Sequence, residues 1–360
     1  MVCHTKLVKN GRHPSGTQRW RCPTCGTSTT RKRGDLTRKH QLTRFLTWLS
    51  GKHAQTELPG PSARTFRRGT AWCWDIHPTL GPVTTTHHTI LVDGIYIGSW
   101  CLLIAVTEDL QVLAWQWCSR ESAAAWNALL TQIPAPTVVV CDGGAGIASA
   151  LKQAWPATRV QRCIFHVRLN LRRHLTLTPR TPAGRHLNQI GKTLAQVDSV
   201  EDAIEWKKLL ETWWQAYGHL TTERTRYRDG STGYTHERLR KAWNLLRSLN
   251  QQGVLFTYLE HGNGKTTSPL EGGINNGIRT LLRNHRGMSE PHMQRAAEWF
   301  LVLHEIRIED AHSFITNPGQ DKRDTRAAPA PKQASTVSFY DTGVTAEEGL
   351  WARSGWAGHS

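Results

Sequence analysis

The sequence predicts an α/β protein with a mixed sheet, an α-helical insertion, and a small basic front end. Three observations carry that prediction. Apolar runs between His88 and Cys118 sit at hairpin spacing and give way to alternating strand and helix patterns. Positive charge is concentrated near the beginning of the chain. A long helical stretch then separates the alternating part from a last short helix that carries an acid.

The 360 residues hold two or three domains, with ample core for an enzyme. No run of about 18 apolar residues occurs, and no charged segment leads into an apolar one as in a secretory signal. The expectation is a soluble, cytoplasmic protein with no membrane partner. Of the formal net charge of +17, residues 1–68 supply most, with fifteen Lys or Arg against Asp35 and Glu57. Such asymmetry points to an arm or domain for nucleic acid, the alternative being a solvated basic face. Cys73, Cys101, Cys118, Cys141 and Cys163 lie in apolar segments, as small core residues of a reducing compartment do.

Residues 1–34 read as a zinc-ribbon-like segment. In "RCPTCG", Cys22 and Cys25 form a knuckle that fits two corners of a Zn²⁺ tetrahedron, with Gly26 letting the chain double back. Eighteen residues separate Cys3 from Cys22, within the range between ribbon halves. Between them, "KNGRHPSGTQRWRC" reads as a hairpin turning at Pro14, Ser15 and Gly16. The fourth ligand is expected immediately before Met1, with His4 or His13 as weaker substitutes. A redox C-x-x-C competes, but no thioredoxin-like βαβ pattern surrounds it.

Residues 35–80 read as a helix–turn–helix. "LTRFLTWLSGKH" places Leu42, Phe45, Leu46 and Leu49 on one face. After a polar, Pro- and Gly-containing break comes "SARTFRRGTAWCWDI", with Arg64, Thr65, Arg67 and Arg68 at its start. That is where a recognition helix reaches base edges and phosphates.

The predicted order continues as strands 88–98, 99–107 and 111–118, helix 120–133, strand 137–142, helix 146–155 and strand 158–164. Asp93 interrupts the apolar "ILVDGIYI". A buried carboxylate is costly unless paired or bound to metal, whereas "DG" is also a hairpin-turn signal. Asp142 ends the strand Val138 to Cys141 before a Gly-rich turn, where α/β sheets place their chemistry. That turn, "GGAG", lacks the Lys of a P-loop. Two acids on neighbouring strands can share divalent metal ions, and a third carboxylate would complete the set. Glu271, in "TTSPLEGGINNGIRTLLRN", supplies it on the first turn of a helix entering near Ser268. A capping box, with Ser268 as N-cap and Glu271 at N3, is the structural alternative. Ile274, Ile278, Leu281 and Leu282 share that helix's apolar face.

Together "LVDG", "CDGGAGI", "RCIFHVRLNL" and "SPLEGGINNGIR" resemble the Mutator-like superfamily of bacterial insertion-sequence transposases. The resemblance covers roughly residues 1–310. It implies an RNase H-like core in two parts, 81–175 and 263–312, with an α-helical insertion over 176–262. Asp93, Asp142 and Glu271 match the family's catalytic Asp, Asp, Glu triad, which implies Mg²⁺ (or Mn²⁺) at those carboxylates. Cys163 and His166 match a C-x-x-H signature that implies an active-site role for His166. From the residues alone, Cys163 reads as a core strand residue and His166 as a buried imidazole beginning a helix. The implied activity is DNA cleavage and strand transfer on double-stranded DNA, at terminal inverted repeats and a target, by a homodimer or larger assembly. The implied location is the bacterial cytoplasm, in association with the nucleoid. A nuclease of the same fold and a domesticated DNA-binding regulator are the alternatives.

The insertion itself reads as two helices, "VEDAIEWKKLLETWWQAYGHL" and "THERLRKAWNLLRSLNQQGVLFTYLEH". Trp206, Trp213, Trp214 and Trp243 are its expected core, stacking on an unpaired base being the alternative. From residue 313 to 360, a Pro- and Ala-rich aperiodic composition predicts a disordered tail.

Overall fold

The computed structural model describes residues 5–30, 34–60 and 62–315, the side chains of 34–36 excepted. The expected ligand Cys3, its substitute His4, and residues 316–360 of the expected tail lie outside the described residues. The chain divides into two compact units, one of residues up to Thr79 with those from Gly277 onward, the other spanning Leu80–Asn276.

The first unit begins with a three-stranded antiparallel sheet, β1 (Val8–Arg12), β2 (Gln18–Arg21) and β3 (Ser28–Thr29), in that order. The β1–β2 turn lies at Pro14–Gly16 as expected, closed by Gly16 N–H donating to the His13 carbonyl at 2.8 Å. At the knuckle, Gly26 takes φ +72 and its N–H donates to the Cys22 carbonyl at 2.9 Å. That left-handed geometry is what a glycine permits without a Cβ clash. Helix α1 (Gly34–Ser50) starts earlier than the apolar pattern alone predicts, and Leu42, Phe45, Leu46 and Leu49 are all buried. Helix α2 (Ala63–Thr70) is capped by Ser62, whose hydroxyl accepts from Thr65 N–H at 3.4 Å. The predicted second helix is shorter than its pattern, since Ala71–Asp75 tightens to a 3₁₀ turn.

In the second unit a five-stranded mixed sheet runs β6-β5-β4-β7-β8. Strands β4 (Thr89–Ile97), β5 (Trp100–Thr107) and β6 (Val112–Cys118) form an antiparallel meander. Strands β7 (Val138–Cys141) and β8 (Arg159–Arg162) continue from β4 in parallel. Their crossovers are α3 (Ala123–Leu130) before β7 and α4 (Ala145–Ala154) before β8. Parallel neighbours need such helical crossovers, which is why strand–helix alternation starts where the meander ends.

The hairpin reading of Asp93–Gly94 is overturned. Strand β4 passes straight through both residues, pairing Asp93 with Ile104 and Gly94 with Leu103. The turn falls at Gly98–Ser99, where Gly98 adopts φ +61. A two-residue hairpin loop needs that positive φ, and Gly98 supplies it where the strand's apolar run is exhausted.

Helices α3 and α4 cover one face of the sheet, packing Trp126, Leu129, Ile147 and Leu151 on Ile90, Val92, Leu103 and Val139. By alternation, Leu91, Asp93 and Ile95 point to the other face.

Helix α5 (Ile164–Leu175) leads into the helical insertion. It contains α6 (Pro182–Thr193), α7 (Val200–Tyr217), α8 (Glu237–Gln251) and α9 (Thr257–His261), with a hairpin of β9 (Arg224–Arg226) and β10 (Thr232–Tyr234) between α7 and α8. The second helix predicted from sequence is broken into α8 and α9, because Gly253 turns the chain at φ +69. Val167, Leu171, Leu187, Trp206, Trp213, Trp243 and Leu246 belong to one apolar core. Trp214 departs from the expectation: it is 38% exposed, lying flat on Trp243 at 4.8 Å and 15°, with Trp213 stacked on Trp243 at 5.0 Å.

After the insertion comes one turn of helix, α10 (Ser268–Leu270), which widens into a π-helical stretch over Glu271–Asn275. Helices α11 (Asn276–Asn284) and α12 (Glu290–Glu305) follow, and described structure extends past residue 312 through a 3₁₀ turn at Asp310–Phe314. Among the described residues no helix is long and apolar enough to cross a membrane.

Candidate active site

The sheet register sets two of the predicted acids side by side. Leu91 pairs with Val140 across the parallel β4–β7 ladder, and Asp93 and Asp142 each follow two residues later. Side chains two apart on a strand share a face, so Asp93 projects from the face opposite α3 and α4, while Asp142 leaves the sheet at the adjacent strand's end. Asp93 is 8% exposed, mid-strand; Asp142 is half-buried just beyond the end of β7. Asp142 Oδ1 accepts the Gly144 N–H at 2.9 Å, a turn that holds the carboxylate against the N-terminus of α4. Between them Gly143, at φ +69, leaves room for the Arg162 guanidinium, whose Nη1 donates to the Gly143 carbonyl at 2.8 Å.

Glu271 arrives from the far side of the insertion. The capping-box reading is overturned. The residue preceding α10 is Thr267, Ser268 is exposed inside the first turn, and Ser268 makes no cap. Glu271 Oε1 accepts instead from the Thr267 hydroxyl at 2.9 Å. The backbone widens at Glu271, because a π-turn rather than an α-turn follows it. Single π-turns inside helices are uncommon and concentrate at functional sites.

Asn275, one turn further on and fully buried, donates from Nδ2 to Asp93 Oδ2 at 2.8 Å. This bond ties the Glu271 segment to the middle of β4. Its Oδ1 is buried with no hydrogen-bond partner among the described residues.

Cys163 is not in a strand. Its N–H still donates to the Cys141 carbonyl at 2.8 Å, but the residue stands at the N-cap of α5, fully buried. His166 follows on the first turn of α5, 5% exposed, its Nδ1 3.7 Å from Glu271 Oε1. Thr267 binds this group from the other side: its N–H and its hydroxyl each lie 3.3 Å from Cys163 Sγ. The facing atoms of Cys163, His166 and Glu271 all fall within 4.8 Å of one another.

Electrostatics here run against burial. Burial alone would lower the His166 pKa, but hydrogen bonding to Cys163, its charge, and the carboxylates of Asp93 and Glu271 outweigh it, and the imidazole is pushed up to about 10. Burial alone would raise the Cys163 thiol. Hydrogen bonds from His166 and Thr267, with the His166 charge, hold it below its ordinary value instead. The pair therefore leans toward imidazolium and thiolate, and places a positive centre beside two of the three acids.

The structure thus brings Asp93 and Asp142 to adjacent strands, Asp142 just past its strand's end, and Glu271 to His166 and Cys163. Asn275 links the two groups. Sequence reasoning missed Thr267 and Asn275. The signal for Asn275 was its place four residues after Glu271, on one helix face. Thr267 had no such signal beyond standing next to a predicted cap. Away from this site, Arg64, Arg67 and Arg68 are exposed on α2, and Arg67 Nη1 donates to Gln55 Oε1 at 3.2 Å. Cys22 is buried and Cys25 exposed at the knuckle, with Cys25 Sγ 3.3 Å from the Thr27 hydroxyl.

Residues 97–255 match the family model described as "Transposase, Mutator family". The chain is 26% identical over 194 residues to the transposase for insertion sequence element IS905 of Lactococcus lactis subsp. lactis (strain IL1403), covering 46% of this chain and 47% of that protein. It is 33% identical over 130 residues to the transposase for insertion sequence element IS6120 of Mycolicibacterium smegmatis, covering 31% of this chain and 40% of that one. The chain therefore spans about half the length, or less, of these curated relatives. Asp142, Cys163 and His166 fall inside the family match, whereas Asp93 and Glu271 flank it. Over residues 97–255 the chain is thus similar to the Mutator family of transposases, and both relatives it matches are transposases of insertion sequences.

Proposed function

We propose that the protein is the DNA transposase of an insertion sequence, cutting DNA at the element's ends and joining it to a target. The observation that carries this reading is that Asp93, in β4, and Asp142, just past the end of the parallel neighbour β7, each follow the paired residues Leu91 and Val140 by two, inside and beside a transposase-family match. Strand order, the two-part arrangement around the insertion and the position of the acids support an RNase H-like core.

Asp93, Asp142 and Glu271 would hold Mg²⁺ or Mn²⁺. The donor set is hard anionic oxygen, which suits both ions. The buried, unpartnered Oδ1 of Asn275 beside Asp93 supports a site that expects a further polar partner. When bound, the metals would activate an attacking oxygen and stabilise charge at phosphorus. This chain's own part is positional. The strand ladder fixes two carboxylates, Thr267 and His166 hold the third, and Asn275 keeps the Glu271 segment against β4.

DNA engagement falls to the basic front end in this reading. The three-stranded sheet with its Cys22–Cys25 knuckle would be a zinc ribbon completed by Cys3 and a fourth ligand. Helices α1 and α2 would be a helix–turn–helix presenting Arg64, Arg67 and Arg68 to the inverted repeats. Transposition by a homodimer or larger assembly on double-stranded DNA, in the bacterial cytoplasm, completes the proposal.

The test is cleavage of a labelled duplex carrying the element's end by the purified full-length chain with Mg²⁺. Cutting at the repeat boundary, lost with EDTA and with Asp93→Ala, is the expected result. Cleavage with no preference for the repeat would favour a nuclease, and binding without any cutting a regulator.

A further inference from the structure

The geometry points to a second metal site, for a thiophilic divalent ion such as Zn²⁺, formed by Cys163, His166 and Glu271. Occupying it would withdraw Glu271 from the Mg²⁺ carboxylates and silence the enzyme. This consequence rests on the transposase reading; the site itself does not.

Three observations carry it. The sulfur, nitrogen and oxygen donors lie within 4.8 Å of one another, and His166 Nδ1 to Glu271 Oε1 is 3.7 Å. Tetrahedral Zn²⁺ with Cys, His and carboxylate ligands sets its donors about 3.4–3.6 Å apart, so small side-chain motions close the cage. Second, His166 is 95% buried, yet its Nδ1 has no hydrogen-bond partner among the described residues. A buried ring nitrogen that faces a carboxylate at 3.7 Å, beyond hydrogen-bond distance, becomes a ligand atom once its proton leaves. Third, Cys163 Sγ is approached by the Thr267 N–H and hydroxyl, both at 3.3 Å. Such outer donors to sulfur orient a metal thiolate and temper its charge.

The donor set discriminates between ions. One thiolate and one imidazole disfavour Mg²⁺ and favour Zn²⁺ or Co²⁺. Three protein ligands leave a fourth position for water. Binding requires a neutral imidazole nitrogen and a thiolate, so any proton on His166 Nδ1 or Cys163 Sγ is released to solvent as the two metal bonds form.

The experiment uses the full-length chain and Co²⁺ as probe, because thiolate ligation of Co²⁺ gives an intense near-ultraviolet charge-transfer band. Cys22 and Cys25 would bind cobalt too, so the measurement is made in Cys22→Ser/Cys25→Ser protein whose circular dichroism matches wild type. One equivalent of Co²⁺ should still produce the band, and Cys163→Ser on that background should abolish it. His166→Gln should weaken binding at least tenfold, which covers the case where the Cys163 variant does not fold. No band in the Cys22→Ser/Cys25→Ser protein, or a band indifferent to Cys163→Ser and His166→Gln, overturns the site and leaves a purely structural Cys–His ion pair. In parallel, micromolar Zn²⁺ against millimolar Mg²⁺ should suppress cleavage. A cobalt band in the Cys22→Ser/Cys25→Ser protein that is lost with Cys163→Ser, beside wild-type protein that never cuts DNA, would sustain the metal site while refuting the transposase reading.

Discussion

Asn275 Nδ2 donates to Asp93 Oδ2 at 2.8 Å inside a fully buried contact, joining residues 182 apart in sequence. The amide donor gives the mid-strand carboxylate a hydrogen bond, which offsets part of the cost of burying it.

Asn275→Ala should cost about 1.5–3 kcal/mol, the range for removing a hydrogen bond to a charged group, and lower the melting temperature accordingly. Asn275→Asp is more informative. A second carboxylate beside Asp93 raises repulsion, so the variant should melt lower than wild type without metal and gain more from added Mg²⁺. Equal Mg²⁺-induced shifts in the two proteins, read by scanning calorimetry, would remove Asp93 from the metal site.

Glu271→Gln should leave the melting temperature within a few degrees, because the neutral amide can still accept from Thr267. Cleavage of end-containing DNA should nevertheless fall by orders of magnitude. Wild-type cutting by this variant is the result that sinks the three-carboxylate reading.

Ser268→Ala and Thr267→Val separate neighbours that sequence alone confuses. Ser268 is exposed and caps nothing, so its loss should stay within about 0.5 kcal/mol. Thr267 is buried and its hydroxyl serves both Glu271 and Cys163, so Thr267→Val should cost about 1 kcal/mol or more and reduce cleavage. Urea melts of the two variants side by side decide it.

Gly146→Ala tests the seat of α4. A Cβ there would meet the Glu121 backbone oxygen at 2.3 Å, and backbone cannot swing aside as a side chain does. The expected loss is about 1–3 kcal/mol, as for overpacking. A melting temperature equal to wild type would show that the α3 and α4 segments slide freely.

At the basic end, Arg67→Ala and Arg68→Ala should weaken binding to end-containing duplex while the intrinsic melting temperature holds. A phosphate contact lowers affinity for all sequences and flattens the salt dependence by about one unit of slope, whereas a base contact relaxes preference at one position. Gel-shift titrations at several salt concentrations, with unchanged affinity as the opposing outcome, distinguish these.

How much of this was legible beforehand differs by residue. Strand limits at Gly98 and the helix face of Leu42, Phe45, Leu46 and Leu49 follow from period and turn chemistry, which are local. Asp93 and Asp142 stood out because an acid in or beside an apolar strand has few cheap explanations. The insertion was read too simply. Pro182 opens α6 in a stretch of mixed polarity with weak period, and the β9–β10 hairpin is only three residues a side, mostly solvated. Residue type alone places Trp214 in the core, whereas its neighbour Trp213 occupies the buried side of α7. The capping box fails because "SPLE" reads the same whether the first helical residue is Pro269, with Ser268 as cap, or Ser268 itself. Only the tertiary contacts of Thr267 choose between those starts.

The Asp93–Asn275 contact also has a meaning in time. At ribosomal rates of about 5–20 residues per second, Asn275 emerges about 9–36 s after Asp93. During that interval β4 can already pair with β5 and β7, while its carboxylate waits under water for a partner not yet made. The basic end, the meander and the helical insertion are all synthesised before the segment carrying Glu271 and Asn275 exists. A nascent chain can therefore fold a large part of itself before Asn275 arrives to meet Asp93, and Glu271 to meet Cys163 and His166.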